Sequence, residues 1–223
     1  MKKTNPRIVF VWITISVFVI QCSYSERALL PGSVLWDNPC ELPCWYNIVP
    51  SETRYSDVIV YLRKIDFVDI ASLHEEIDDV SGTTHVNWKM KAPYAGWGTI
   101  VVKENMVESI TVTGKFDITL KQIVNHYGPP EAYRVDPSGG EIAAWEYDFY
   151  YPHLGAVFEA SYKAMPGLNV PPPVYAEAQI WNIELMKRGT LKEMLERLFG
   201  KYPDSLYRWQ GFTPLPTPTL VGN

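Results

Sequence analysis

The sequence predicts an α+β fold: a tandem repeat of a helix plus a three-stranded antiparallel sheet, closed by a C-terminal helix. Three observations predict it. The helix opening Thr119-Leu120-Lys121 returns as Thr190-Leu191-Lys192, 71 residues later. A fainter copy, carrying Thr53, Val58, Ile59 and Leu62, lies about 65 residues upstream of the first. Between the copies the chain alternates apolar and polar residues, the period of half-buried strands. A spacing of this size exceeds the 20–50 residues of a solenoid unit and matches a small supersecondary domain.

Residues 1–25 read as an export signal or anchor. MKKTNPR is basic, and Ile8 to Ile20 is an apolar run of 13 residues. A membrane-spanning helix needs about 20. Three outcomes stay open: cleavage after Ser25, lipidation of Cys22 in a lipobox-like Val19-Ile20-Gln21-Cys22, or an uncleaved anchor. All three place the rest of the chain outside the cytoplasm, secreted or anchored on the outer side of the membrane, because basic flanks stay inside. Residues 26–47 form a lead-in with Cys40 and Cys44. In an exported protein two such neighbours are expected as a disulfide. A loop this short gives only about 2 kcal/mol, so the bond pins the entry to the domain and does not hold the fold together.

The first repeat spans 48–115. Its helix starts at Ser51 or Thr53, and its strands are 85–91, 97–104 and 107–114, with Lys103-Glu104-Asn105 as a tight turn. Residues 75–82, EEIDDVSG, read as an acidic loop; their spacing lacks that of a calcium-binding hand. The second repeat spans 116–186. Thr119 caps its helix, Gly128 ends it, and Pro129-Pro130 forbids continuation. Its strands are expected at 141–151, 155–164 and 174–185, after a DPSGG turn at 136–140. Residues 187–210 hold the closing helix, with Thr190 and Gly200 at its ends, and 211–223 form a Pro-rich disordered tail.

Composition allows a sizeable core: 47% of residues are hydrophobic and 20% charged. The formal charge is −5 for 223 residues, and without residues 1–25 it becomes −8, from 17 cations and 25 acids. A surface so poor in cations repels phosphate backbones, so no nucleic-acid partner is expected.

Ile48-Val49-Pro50-Ser51-Glu52-Thr53, followed by Val58 and Leu62, resembles the helix signature of the small outer-membrane-assembly lipoproteins of the SmpA/OmlA family. Tyr127-Gly128-Pro129-Pro130 is similar to the other end of that signature. The expected fold is then similar to that of the secreted β-lactamase inhibitor proteins. Pro39-Cys40, Pro43-Cys44-Trp45 before Ile48 also resembles the opening of uncharacterised exported bacterial proteins. The resemblance implies a non-catalytic envelope protein that works by contact.

The residues themselves point the same way. The chain has no Gly-x-Ser-x-Gly, no His-Glu-x-x-His, no phosphate-binding loop and no Gly-x-Gly-x-x-Gly. His74, His85, His126 and His153 show no ligand spacing. No catalytic, metal or cofactor residue is therefore assigned. Glu146 and Asp148 share one strand face and form the only acid pair worth weighing, as in a carbohydrate hydrolase. Trp88, Trp145, Tyr147 and Tyr162 are the candidate binding surface, since rigid rings make good interface anchors; as sheet core they would serve equally well. The expected partner is a protein in the cell envelope or outside the cell. The runner-up is an inhibitor of a secreted hydrolase, acting through a protruding loop at 92–97 or 165–173.

Overall fold

A computed structural model describes residues 28–138, 144–163, 173–200, 203 and 206–212. Residues 1–27, with Cys22 and the export signal, lie outside the described residues, as do 139–143, 164–172 and 213–223.

One antiparallel sheet of nine strands dominates the molecule, in the order β1-β2-β3-β4-β8-β7-β6-β5-β9. The first half of the chain supplies a short helix α1 (Ser33–Trp36), helix α2 (Tyr55–Leu62) and a four-stranded meander. Its strands are β1 (Val68–Asp78), β2 (Thr83–Met90), β3 (Gly96–Lys103) and β4 (Met106–Gly114). The second half adds α3 (Leu120–Tyr127), β5 (Ala132–Ser138), β6 (Ala144–Tyr151), β7 (Ala156–Lys163) and β8 (Ile180–Met186). Helix α4 (Leu191–Phe199) and the three-residue β9 (Leu206–Arg208) follow.

This corrects the expected tandem of helix-plus-three-strand units. The fold is β-rich, and the strands of both halves belong to a single sheet. Two physical reasons account for it. Four strands, not three, follow each of α2 and α3. After α2 the acidic stretch read as a loop is largely strand: Glu75, Glu76, Ile77 and Asp78 pair with Val86, His85, Thr84 and Thr83. After α3 the added strand is β5, which runs on through Asp136, Pro137 and Ser138 of the expected turn, paired with Glu146, Trp145 and Ala144. The last strands of the two halves then pair with each other, Ile110 opposite Leu185 and Val112 opposite Ile183. That pairing removes two edges that would otherwise present bare backbone donors and acceptors. The closing segment also differs: 187–210 holds a helix and then β9, which pairs with β5 through Tyr133 and Tyr207.

Local chemistry behaves as expected at several ends. Thr119 and Thr190 each make a full capping box, accepting from the Gln122 and Glu193 backbone N–H while those side chains return to the cap. Gly200 ends α4 in the left-handed region. Glu104 and Asn105, at φ 51° and 65°, make the tight β3–β4 turn. Helix α2 differs: Arg54 is its N-cap, without a side-chain cap, and the Thr53 hydroxyl accepts from Val49 N–H instead.

The two faces of the sheet are unlike. On the first, Val86, Trp88, Ile100, Val112, Tyr147, Phe149, Phe158 and Ile183 form the main core with Val58 and Leu62 of α2 and Leu120 and Ile123 of α3. The lead-in belongs to this core: Trp45 is 2% exposed and stacks on Trp88 at 5.6 Å. Cys40 and Cys44 sit at disulfide distance, Cα atoms 5.7 Å apart. Asn38 holds their loop, donating to the Cys40 and Cys44 carbonyls and accepting from Tyr46 N–H. On the second face, among the described residues, only one end is covered. There α4 lays Leu191, Met194 and Leu195 on Ala132, Tyr150, Val157 and Met186. Among the described residues no helix is long and apolar enough to cross a membrane.

Candidate functional site

Strand alternation decides what the second face presents. In β3, Gly98, Ile100 and Val102 point into the core, so Trp97, Thr99 and Val101 point the other way. Trp97 is 55% exposed. Lys89 and Thr113 stand directly opposite it on β2 and β4. By the same alternation Trp181 in β8 would belong to the core with Ile183 and Leu185. It does not, because Glu159 pairs with Asn182 while the next residue, Ala160, pairs with Ile180. Trp181 is the extra residue of a bulge, and a bulge re-aims its side chain. It comes out half-buried beside Ser161.

The two indoles flank a cleft of about 730 Å³, lined also by Lys89, Thr113, Lys115 and Ser161. Its floor is bare backbone where Gly96 and Gly114 face each other across β3 and β4. A Cβ on Gly96 would stand 2.4 Å from the Thr113 carbonyl oxygen, so no other residue fits there without a shift. Neither lysine makes an ion pair among the described residues. Asp69, opposite Lys89 on β1, accepts from Ala71 N–H instead.

Next to the cleft lies a line of polar groups. Thr113 Oγ1 donates to Asn182 Oδ1 at 2.6 Å, and Asn182 Nδ2 donates to Glu159 Oε1 at 2.7 Å. Thr113 and Asn182 are both buried. Glu159 stands across from Asp148, and Glu184 is on the neighbouring strand. Among the described residues one cation serves the group: Arg134 Nη2 lies 3.0 Å from Asp148 Oδ2, and its Nε 2.9 Å from Asp136 Oδ2. Tyr150 donates its hydroxyl proton to Asp148. Burial pushes Glu159 up to about 7, helped by the charges of Asp148, Glu184 and Glu146 and opposed by the Asn182 hydrogen bond. Burial and then Asp148 raise Glu184 to about 7 as well. Asp148 is raised by burial while Arg134 pulls it back. Neither Glu159 nor Glu184 lines the cleft. Among the described residues no cluster of three His, Cys, Asp or Glu side chains has a geometry to hold a metal.

The aromatic rings singled out in the sequence fall on the core face. Trp88 is 1% exposed, Tyr147 0% and Tyr162 9%, and Trp145 is half-buried against the same core. Trp88, Tyr147 and Tyr162 are therefore core rings, and Trp145 keeps part of its surface open. Their alternation marks a buried face, and rings of the opposite parity reach the other one. WGTIVV carried that signal for Trp97; nothing in IWNIEL carried it for Trp181, whose direction depends on the bulge. Glu146 and Asp148 do share the second face, but the structure ties Asp148 to Arg134 and Tyr150. Of the two candidate inhibitory loops, 92–97 brings Trp97 to the cleft, and 165–173 lies almost wholly outside the described residues.

A second cavity, about 420 Å³, opens between the lead-in and α3, bordered by Trp36, Cys40, Glu41, His126 and Arg188. Trp36 packs on His126 at 4.8 Å, and Arg188 donates to the Leu42 carbonyl. Those contacts tie the lead-in to the sheet. No family model, no curated protein and no solved structure matches this chain.

Proposed function

We propose that this is a non-catalytic binding protein, exported and secreted or held at the outer side of the membrane, that contacts another protein through the second face of its sheet. The observation that supports it most is Trp97: a large ring 55% exposed, on the part of the second face that α4 leaves open among the described residues, beside a second indole in a cleft. Tryptophan is the residue most enriched among interface hot spots, and burying one on association supplies a large share of binding energy. The acid group near the cleft has carboxylates titrating near neutrality, as catalytic acids often do. Its carboxylates are half-buried and held by Arg134, Tyr150 and Asn182, and so the group reads as part of the scaffold.

A photo-crosslinking residue at position 97, in cells producing the full chain, tests the proposal. A discrete heavier product is expected, and it should be absent with the same residue at Val60, which is 52% exposed on α2. Monomer alone from both positions overturns the proposal.

The second reading, a proteinaceous inhibitor of a secreted hydrolase, draws on the same loop, 92–97. It differs in requiring that the crosslinked product be a hydrolase and that the purified chain suppress its activity.

A further inference from the structure

We propose that the Trp97–Trp181 cleft takes a short acidic segment of a protein partner, with carboxylates held by Lys89 and Lys115 and apolar side chains laid on the two indoles. This rests on the binding role proposed above and adds the chemistry of what is bound.

Charge complementarity carries it. The chain without residues 1–25 has 25 acids against 17 cations, yet the cleft is lined by two lysines and no acid. Both lysines are exposed, and neither is paired among the described residues. A cation left free in an acidic protein, beside an exposed ring, matches an anionic group on a ligand. Thr113 and Ser161 add hydroxyls at the wall.

The surroundings limit the ligand's length. Beyond Ser161 the face carries Glu146, directly opposite it, and then Asp148 and Glu159. In the other direction Glu76 and Asp78 stand opposite His85 and Thr83. A long anionic polymer crossing the face would run onto one acidic flank or the other. A segment confined to the cleft has the two lysines as its charged lining, with Asp69 and Glu146 one strand away across from Lys89 and Ser161. The strands under the cleft are interior to the sheet, each paired on both sides. Added β-pairing is therefore unavailable, and recognition has to come from side chains.

The test is fluorescence polarisation on the full chain with a labelled hexapeptide of four glutamates and two phenylalanines. Its lysine-for-glutamate counterpart and hexagalacturonate are the comparison probes. Saturable binding of the acidic peptide is expected, weakened about tenfold or more by Trp97→Ala. The Lys89→Gln/Lys115→Gln double variant should weaken it comparably. Raising salt from about 50 to about 300 mM should also weaken it, because exposed pairs are screened. All three variant positions are exposed or partly so, and unchanged thermal unfolding of each variant confirms that the loss is one of binding. No saturable binding, equal binding of the basic peptide, tighter binding of hexagalacturonate, or binding indifferent to Trp97→Ala each overturns the proposal. A discrete crosslink from position 97 together with any of these results removes only the acidic-segment assignment and leaves the contact role standing.

Discussion

Trp88 and Trp97 sit on neighbouring strands of one sheet, with Lys89 next to the first and opposite the second, and the two rings have opposite fates. Trp88 is sealed under α2 and the lead-in, its ring filling the space above Gly98 and stacking on Trp45. Trp97 stands free at the mouth of a cleft. The same residue type thus supplies packing on one face and reach on the other, and what separates them is strand parity. The first face is closed by α2, α3 and the lead-in with its short helix α1. Among the described residues the second is closed only at the α4 end, and between α4 and the cleft it carries half-buried carboxylates. The aromatic content of the sequence therefore says little about binding until each ring is assigned a face.

The largest effect expected from this contrast is on stability. Trp88→Ala should cost about 3–5 kcal/mol in urea unfolding, through lost burial and the cavity left beside Trp45. A cost near that of a surface change would mean the two faces are not distinct. Gly98 sharpens the same point from beneath, since a Cβ there would meet the Trp88 ring at 2.0 Å. Gly98→Ala should cost about 1–3 kcal/mol by overpacking.

The second face predicts a pH dependence. Glu159 and Glu184 are both raised from 4.5 to about 7 in the folded chain. Between those values the folded chain holds more protons than the unfolded one. Stability should therefore be full near pH 4.5, fall as pH rises toward 7, and level off above it. The loss is on the order of 1–3 kcal/mol for each group, since both are partly buried and coupled. Glu184→Gln should be more stable than the parent at pH 8, with a flatter profile. A parent whose stability is flat through this window would place the carboxylates in water. Of smaller size, Thr190→Ala should cost about 1 kcal/mol through the lost cap of α4.

How much of this was legible in the sequence follows from the range of each signal. The capping boxes at Thr119 and Thr190 are local, spanning three residues, and could be read directly. So could the Glu104-Asn105 turn and the Cys40–Cys44 proximity. Strand β1 was missed because HEEID lies at the sheet edge, where partly exposed charged residues show no apolar alternation. The single sheet was missed because its joint is long-range: Thr113 meets Asn182, 69 residues away, and periodicity within either strand is silent about its partner. Trp97 was legible by parity and Trp181 was not, since a one-residue bulge reverses the face and leaves no mark in the composition.

The most direct measurement is Trp97→Ala read twice on one preparation, by urea unfolding and by crosslinking from a photo-reactive residue placed at Lys115. The account predicts stability within about 0.5 kcal/mol of the parent, as for an exposed position, together with loss of the crosslinked product. A variant that keeps the product, or one that loses it only by unfolding, would contradict the assignment of this face to contact.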